Sequence, residues 1–197
     1  MKTVALLLFP DVEVLDFAGP FEVFSVASEM RQPAPFRVIT VADGPAVIAA
    51  VGGLNVAPHF DLATAPQADV LILPGGKGSR RAMREPRILD WVAKQAAKAD
   101  VVASVCTGAL ILGTLGLLDG LKATTHAGAI GELRAISAKI DVRPAARFID
   151  NGKYLTSGGI TAGIDMSLYL LRRLTDQALV DLVVEEMEYD WRQRAAG

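Results

Sequence analysis

Short apolar runs, each closed by turn residues, recur along the chain at intervals that a helix can bridge. "TVALLLF" (3–9), "FRVITVA" (36–42), "DVLILPGG" (69–76) and Val101–Val105 each read as a buried strand. A continuous apolar run of strand length suits a sheet covered on both faces. Helical patterns lie between them in "GPFEVFSVASEM" (19–30), "REPRILDWVAKQAAKA" (84–99) and "AGAIGELRAIS" (127–137). This alternation predicts an α/β domain with a mostly parallel sheet and right-handed crossovers. "RFIDNGKYLTSG" (147–158) departs from it, because Asn151-Gly152 between two short runs signals a tight hairpin. The stretch from Thr161 to Trp191 predicts two helices meeting near Leu174-Thr175. No repeat, low-complexity tract or linker interrupts the chain, so residues 1–197 are expected to form one domain.

The longest uncharged stretch, "DVVASVCTGALILGTLGLLDG" (100–120), places eighteen such residues between Asp100 and Asp119, the lower limit for crossing a bilayer. Aspartate flanks, scattered Ser104, Cys106, Thr107 and Thr114, and three glycines argue against a span. Its first half is a β-branched run, while Leu110, Ile111, Thr114, Leu117 and Leu118 fall at helical spacing. The reading is strand, turn at Cys106, then helix. The apolar run in "MKTVALLLFPDVEV" is too short for a signal peptide and is cut by Pro10-Asp11.

A net charge of −2 supplies no basic footprint for nucleic acid and no polybasic membrane patch, and the Trp and Tyr residues form no stacking pattern. One cysteine rules out an internal disulfide; with two separated histidines it makes a poor metal set. A cytoplasmic protein acting on a small molecule, with neither metal nor cofactor, is expected.

Ligands of open parallel sheets sit beyond the carboxyl ends of the strands, and several polar outliers fall there. Pro74-Gly75-Gly76, Cys106 and Gly158-Gly159 each follow a predicted strand, His126 follows Ala123-Thr124-Thr125, and Asp16 follows strand one after a short loop. Cys106 has two readings, a buried small hydrophobe or a nucleophile. Its place at a strand-to-helix turn followed by Thr107-Gly108-Ala109 favours the second, since a helix N-terminus favours the thiolate. Asp16 is either a solvent-facing helix cap or a partner that shares a proton with Cys106. Glu13 and Glu22 are rivals expected on the solvent side. The N–H groups of Gly75 and Gly76, with that of Thr107, could stabilise developing negative charge. His126 fits pocket lining better than catalysis, and His59 fits a surface loop. Gly75, Gly76, His126 and Gly159 are therefore the candidate substrate-binding residues.

"LLLFPDVEVLDFAGPFEVF", "DVLILPGG", "VASVCTGALILGTLGLLDG", "ATTH" and "LTSGGITAGIDMSLYLL" occur in an order and at spacings that resemble the DJ-1/PfpI superfamily over most of the chain. Asp in "LDFAGP" and Cys-Thr-Gly at the elbow are similar to the isonitrile hydratase branch. The same segments also resemble the ligand-sensing domains of AraC-type regulators. The resemblance implies a flavodoxin-like three-layer sandwich, a homodimer, and a nucleophilic cysteine in a strained turn. By it Cys106 is the nucleophile, Asp16 its acid partner, and Thr107 the catalytic residue that follows. The intracellular-protease branch has histidine after its cysteine, so Thr107 argues against a peptidase. The regulators continue into a helix-turn-helix domain; the sequence reaches Gly197 without one, so direct DNA binding is not expected. The implied activity is hydration of an isonitrile to an N-substituted formamide without cofactor. Two alternatives stand beside it: a glyoxalase-like enzyme on small carbonyl compounds, enlisting His126, and a stand-alone small-molecule or redox sensor in which Cys106 oxidises reversibly.

Overall fold

A computed structural model describes residues 1–44 and 46–191; the remainder of the expected 1–197 domain lies outside the described residues. The chain runs β1 (Lys2–Leu8), α1 (Val14–Met30), β2 (Phe36–Ala42), a short pair β3 (Ile48–Ala49) and β4 (Asn55–Val56), β5 (Phe60–Asp61) and β6 (Val70–Leu73). Next come α2 (Ser79–Ala82), α3 (Pro86–Lys98), β7 (Val101–Ser104), α4 (Gly108–Thr114), β8 (Lys122–Ala123), α5 (Ile130–Ile136) and β9 (Asp141–Val142). A hairpin of β10 (Phe148–Asn151) and β11 (Tyr154–Ser157) precedes α6 (Ala162–Leu174) and α7 (Gln177–Glu186).

Seven strands form one sheet in the order β10-β11-β7-β6-β1-β2-β5, parallel except for the edge hairpin. Val4–Leu8, Val70–Leu73 and Val101–Ala103 are almost wholly buried, as their uninterrupted apolar character requires. Helices flank the sheet, with α1, α6 and α7 packed together and α4 packed against α2 and α5. Leu6, Ile72, Ala103 and Leu155 lie in one row across four strands. Those strands therefore end together, and the segments after them emerge at one edge.

Several boundaries differ from the sequence reading. Helix α1 starts at Val14 rather than Gly19, which puts Asp16 in its first turn rather than in a loop. The helix after Cys106 stops at Thr114; Gly116 turns left-handed at φ 69°, leaving Leu117 and Leu118 in turns beyond it. The segment before His126 contributes only β8, which pairs with β9 in a separate two-stranded sheet. The predicted 127–137 helix is a 3-10 turn, Ala127–Ala129, followed by α5. Among the described residues no helix is long and apolar enough to cross a membrane.

Candidate active site

Cys106 stands two residues beyond β7 and two before α4, with φ 56°. A left-handed non-glycine residue is strained by about 1–3 kcal/mol and persists only where its surroundings hold it. Here the backbone is pinned on both sides. Cys106 N–H donates to Gly158 O at 3.1 Å, and Cys106 O accepts from Thr125 Oγ1 at 2.8 Å. Gly108 lets α4 begin against the end of β6, since a Cβ there would run into the Leu73 carbonyl.

Asp16 is fully buried, so the solvent-facing cap reading fails. Its Oδ2 accepts from Gly75 N–H at 2.9 Å, while Oδ1 has no partner in hydrogen-bonding geometry. Burial raises its pKa from 3.8 to about 7; the Glu13 charge adds to this, and the Gly75 N–H and the nearby Cys106 thiol oppose it. Cys106 is pushed from its ordinary value near 9 up to about 12, first by burial and then by the Asp16 charge. The N–H groups of Thr107 and Ile160 pull the thiol the other way. The helix end thus favours the thiolate as expected, but burial and Asp16 outweigh it. Between about pH 7 and 12 the two acids hold one proton between them.

Gly75 could not be another residue without displacement: a Cβ would stand 2.5 Å from both Thr107 N and Oγ1 and 3.0 Å from Asp16 Oδ2. Its N–H is committed to Asp16, and Gly76 N–H to Thr107 Oγ1 at 3.0 Å. Neither amide is therefore free for a substrate, contrary to the sequence reading; the donors facing the sulfur are Thr107 and Ile160. Thr107 is buried and tied further to Ser79 Oγ at 2.9 Å and Gly76 O at 3.1 Å.

An open cleft of about 320 Å³ lies over the thiol, lined by Glu13, Arg80, Cys106, Thr107, His126 and Ile160 among others. His126 sits at its exposed rim, and its Nδ1 accepts from Gly128 N–H at 3.1 Å, which leaves the ring proton on Nε2. Gly159 backs the ring, where a Cβ would collide with it. Arg80 is held at the mouth by a two-pronged pair with Glu132 at 2.6 and 3.0 Å. Glu22 is exposed as expected, but Glu13 is half-buried in the cleft. Its spacing of three residues from Asp16 was the available signal, since such a pair shares one helical face. Ile160, at φ 54°, gave no sequence signal, because β-branched residues rarely adopt that conformation. His59 is exposed in a loop, with Nδ1 bonded to Thr40.

A second cavity of about 350 Å³, lined by Lys122, Arg143 and Asp150 among others, lacks any nucleophile or buried acid. Among the described residues no group of three or more His, Cys, Asp or Glu side chains could hold a metal ion.

Comparison with known proteins matches residues 2–173 to the DJ-1/PfpI family. An isonitrile hydratase of Pseudomonas putida is 37% identical over 94% of this chain and 78% of its own length. The HTH-type transcriptional regulator CdhR of Pseudomonas aeruginosa is 29% identical over 91% of this chain, which spans 53% of that regulator. The crystal structure of a THiJ/PfpI family protein from Pseudomonas syringae superposes with a TM-score of 0.86 at 31% identity, over 96% of this chain and 75% of that one.

Proposed function

The chain belongs to the DJ-1/PfpI family, and on that premise we propose that it hydrates small isonitriles to N-substituted formamides, with Cys106 as nucleophile, Asp16 as proton carrier and the Thr107 N–H as a donor to the sulfur. One observation carries the reading: a buried carboxyl titrating near 7 lies beside the only cysteine, with one oxygen anchored on Gly75 and the thiol close to the carboxyl. The similarity to an isonitrile hydratase over nearly the whole chain supports the same reaction.

In the first half-reaction, ionised Asp16 takes the thiol proton as sulfur bonds the terminal isonitrile carbon, then returns that proton to the same carbon. One S–H bond breaks, S–C and C–H bonds form, and the product is a thioimidate on Cys106. The Thr107 and Ile160 N–H groups stabilise charge on sulfur during the transfer. In the second half, water adds across the C=N bond, hydroxyl to carbon and proton to nitrogen, with Asp16 relaying the proton. Collapse of that adduct breaks the C–S bond, returns the thiol and releases the formamide.

Incubating the protein with a panel of small isonitriles, beside 2-oxoaldehydes, tests the reading, with Cys106→Ala as the inactive control. Gain of one water by the isonitriles is expected; activity on the 2-oxoaldehydes alone would transfer the cysteine to glyoxalase-like chemistry. A ligand-sensing role draws on the similarity to a transcriptional regulator. Cys106 oxidation without turnover of any panel member would favour it.

The cycle starts from ionised Asp16 and a protonated thiol, which fixes its pH dependence. Asp16 gains its proton as pH falls through about 7. kcat/KM for a small alkyl isonitrile should accordingly level off above pH 8 and fall toward about tenfold per pH unit on the acid side. A profile flat from pH 5 to 9 would remove Asp16 as the base. The family resemblance also carries a homodimer of one-domain chains. Sedimentation equilibrium at micromolar concentration should give twice the chain mass, and a monomer there would refute the dimer.

A further inference from the structure

The turn of residues 158–161, which joins β11 to α6, is gripped at both ends by one residue. Gly158 N–H donates to Arg147 O at 2.9 Å, and the Arg147 guanidinium donates to Thr161 Oγ1 at 3.0 Å. The guanidinium is itself fixed, with Nε 2.6 Å from Asp165 Oδ2, while Tyr189 Oη donates to Asp165 Oδ1 at 3.1 Å. Between the two grips sits Ile160 at φ 54°, lining the same cleft as Cys106. Its N–H faces the sulfur and the Asp16 carboxyl. A β-branched residue leaves the left-handed region unless its neighbours prevent it.

We propose that Arg147 is a positioning residue for the nucleophile, clamping both ends of the 158–161 turn so that Ile160 stays left-handed beside Cys106. Only the guanidinium half of the clamp can be removed by substitution, and that half secures the end next to Ile160. The inference rests on Cys106 as the nucleophile of the proposed function. It does not rest on the substrate, because iodoacetamide alkylation reads the thiol directly.

The experiment follows alkylation of Cys106 at pH 8 in wild type, Arg147→Met and Thr161→Val, each with Ile160 and with Ile160→Gly. The charged and titratable groups facing the thiol or lining its cleft, namely Asp16, Glu13, Lys77, Arg80 and His126, are unchanged throughout. Loss of one N–H donor to a charged sulfur should slow alkylation about tenfold in Arg147→Met and less in Thr161→Val. Thr161→Val keeps the Arg147–Asp165 pair, so it reports even if Arg147→Met fails to fold. Glycine adopts the left-handed region without cost, so both substitutions should be silent, within about twofold, once Ile160 is glycine. Folded variants alkylating at the wild-type rate, or a slowing that persists with Ile160→Gly, would overturn the clamp. Wild-type protein inert toward isonitriles would sink the hydratase reading and leave these rates as they are.

Discussion

Asp16→Asn is expected to gain stability relative to wild type as pH rises from 4 to 8, while losing the proposed isonitrile turnover. A carboxyl that titrates near 7 when folded but near 3.8 when unfolded holds a proton in the native state that the unfolded chain has released. The stability contributed by that protonation is complete below about pH 4 and is lost as pH rises through about 7. The shift corresponds to about 4 kcal/mol. Asparagine does not titrate, so the stability difference between variant and wild type should grow by about 4 kcal/mol from pH 4 to pH 8. An amide nitrogen left without a partner costs about 1–3 kcal/mol, but equally at both pH values. Urea unfolding of both proteins at each pH measures the difference; a constant offset would mean that Asp16 ionises as an ordinary surface carboxylate. In the same protein kcat should fall by about 10²–10⁴-fold, the usual range for losing a positioned proton carrier.

Gly75→Ala is expected to dismantle the site from outside the reacting atoms. The added methyl would press at 2.5 Å on Thr107 N and Oγ1, and at 3.0 Å on Asp16 Oδ2. Thr107 N belongs to the backbone that follows Cys106, so relief must move Cys106, Asp16 or both. Overpacking of this kind costs about 1–3 kcal/mol, and a displacement near 1 Å costs about a hundredfold in rate. Gly131→Ala is the control: a Cβ there meets nothing, and alanine in α5 should be stabilising by up to about 1 kcal/mol. Wild-type turnover in Gly75→Ala would show that the close approach of Gly75 to Thr107 and Asp16 is dispensable.

What was legible in the sequence was what burial writes in it. The apolar runs at 3–9, 36–42, 69–73 and 101–105 became strands within a residue or two, because a strand covered on both faces admits little else. The elbow at Cys106 followed from a β-branched run meeting Thr107-Gly108. Helix α1 was misplaced because Gly19-Pro20 reads as an N-terminal boundary, whereas the helix runs through Pro20. That shift decided whether Asp16 was a cap or a buried acid. The two-residue strands β3, β4, β5, β8 and β9 are too short to carry a period. The commitments of the Gly75 and Gly76 amides depend on three segments meeting, and no local pattern reports that.

The row of Leu6, Ile72, Ala103 and Leu155 also bears on how the molecule matures. Parallel neighbours are joined by crossovers, and each crossover must close before its pairing contributes. The elbow is held by Gly158 and Thr125, which lie on the C-terminal side of Cys106. A nascent chain exposing residue 106 thus carries an ordinary thiol near 9, more often ionised at neutral pH than the folded one near 12. A brief pulse of alkylating reagent should mark incomplete chains and spare finished ones, making the lone cysteine a built-in gauge of the unfolded fraction.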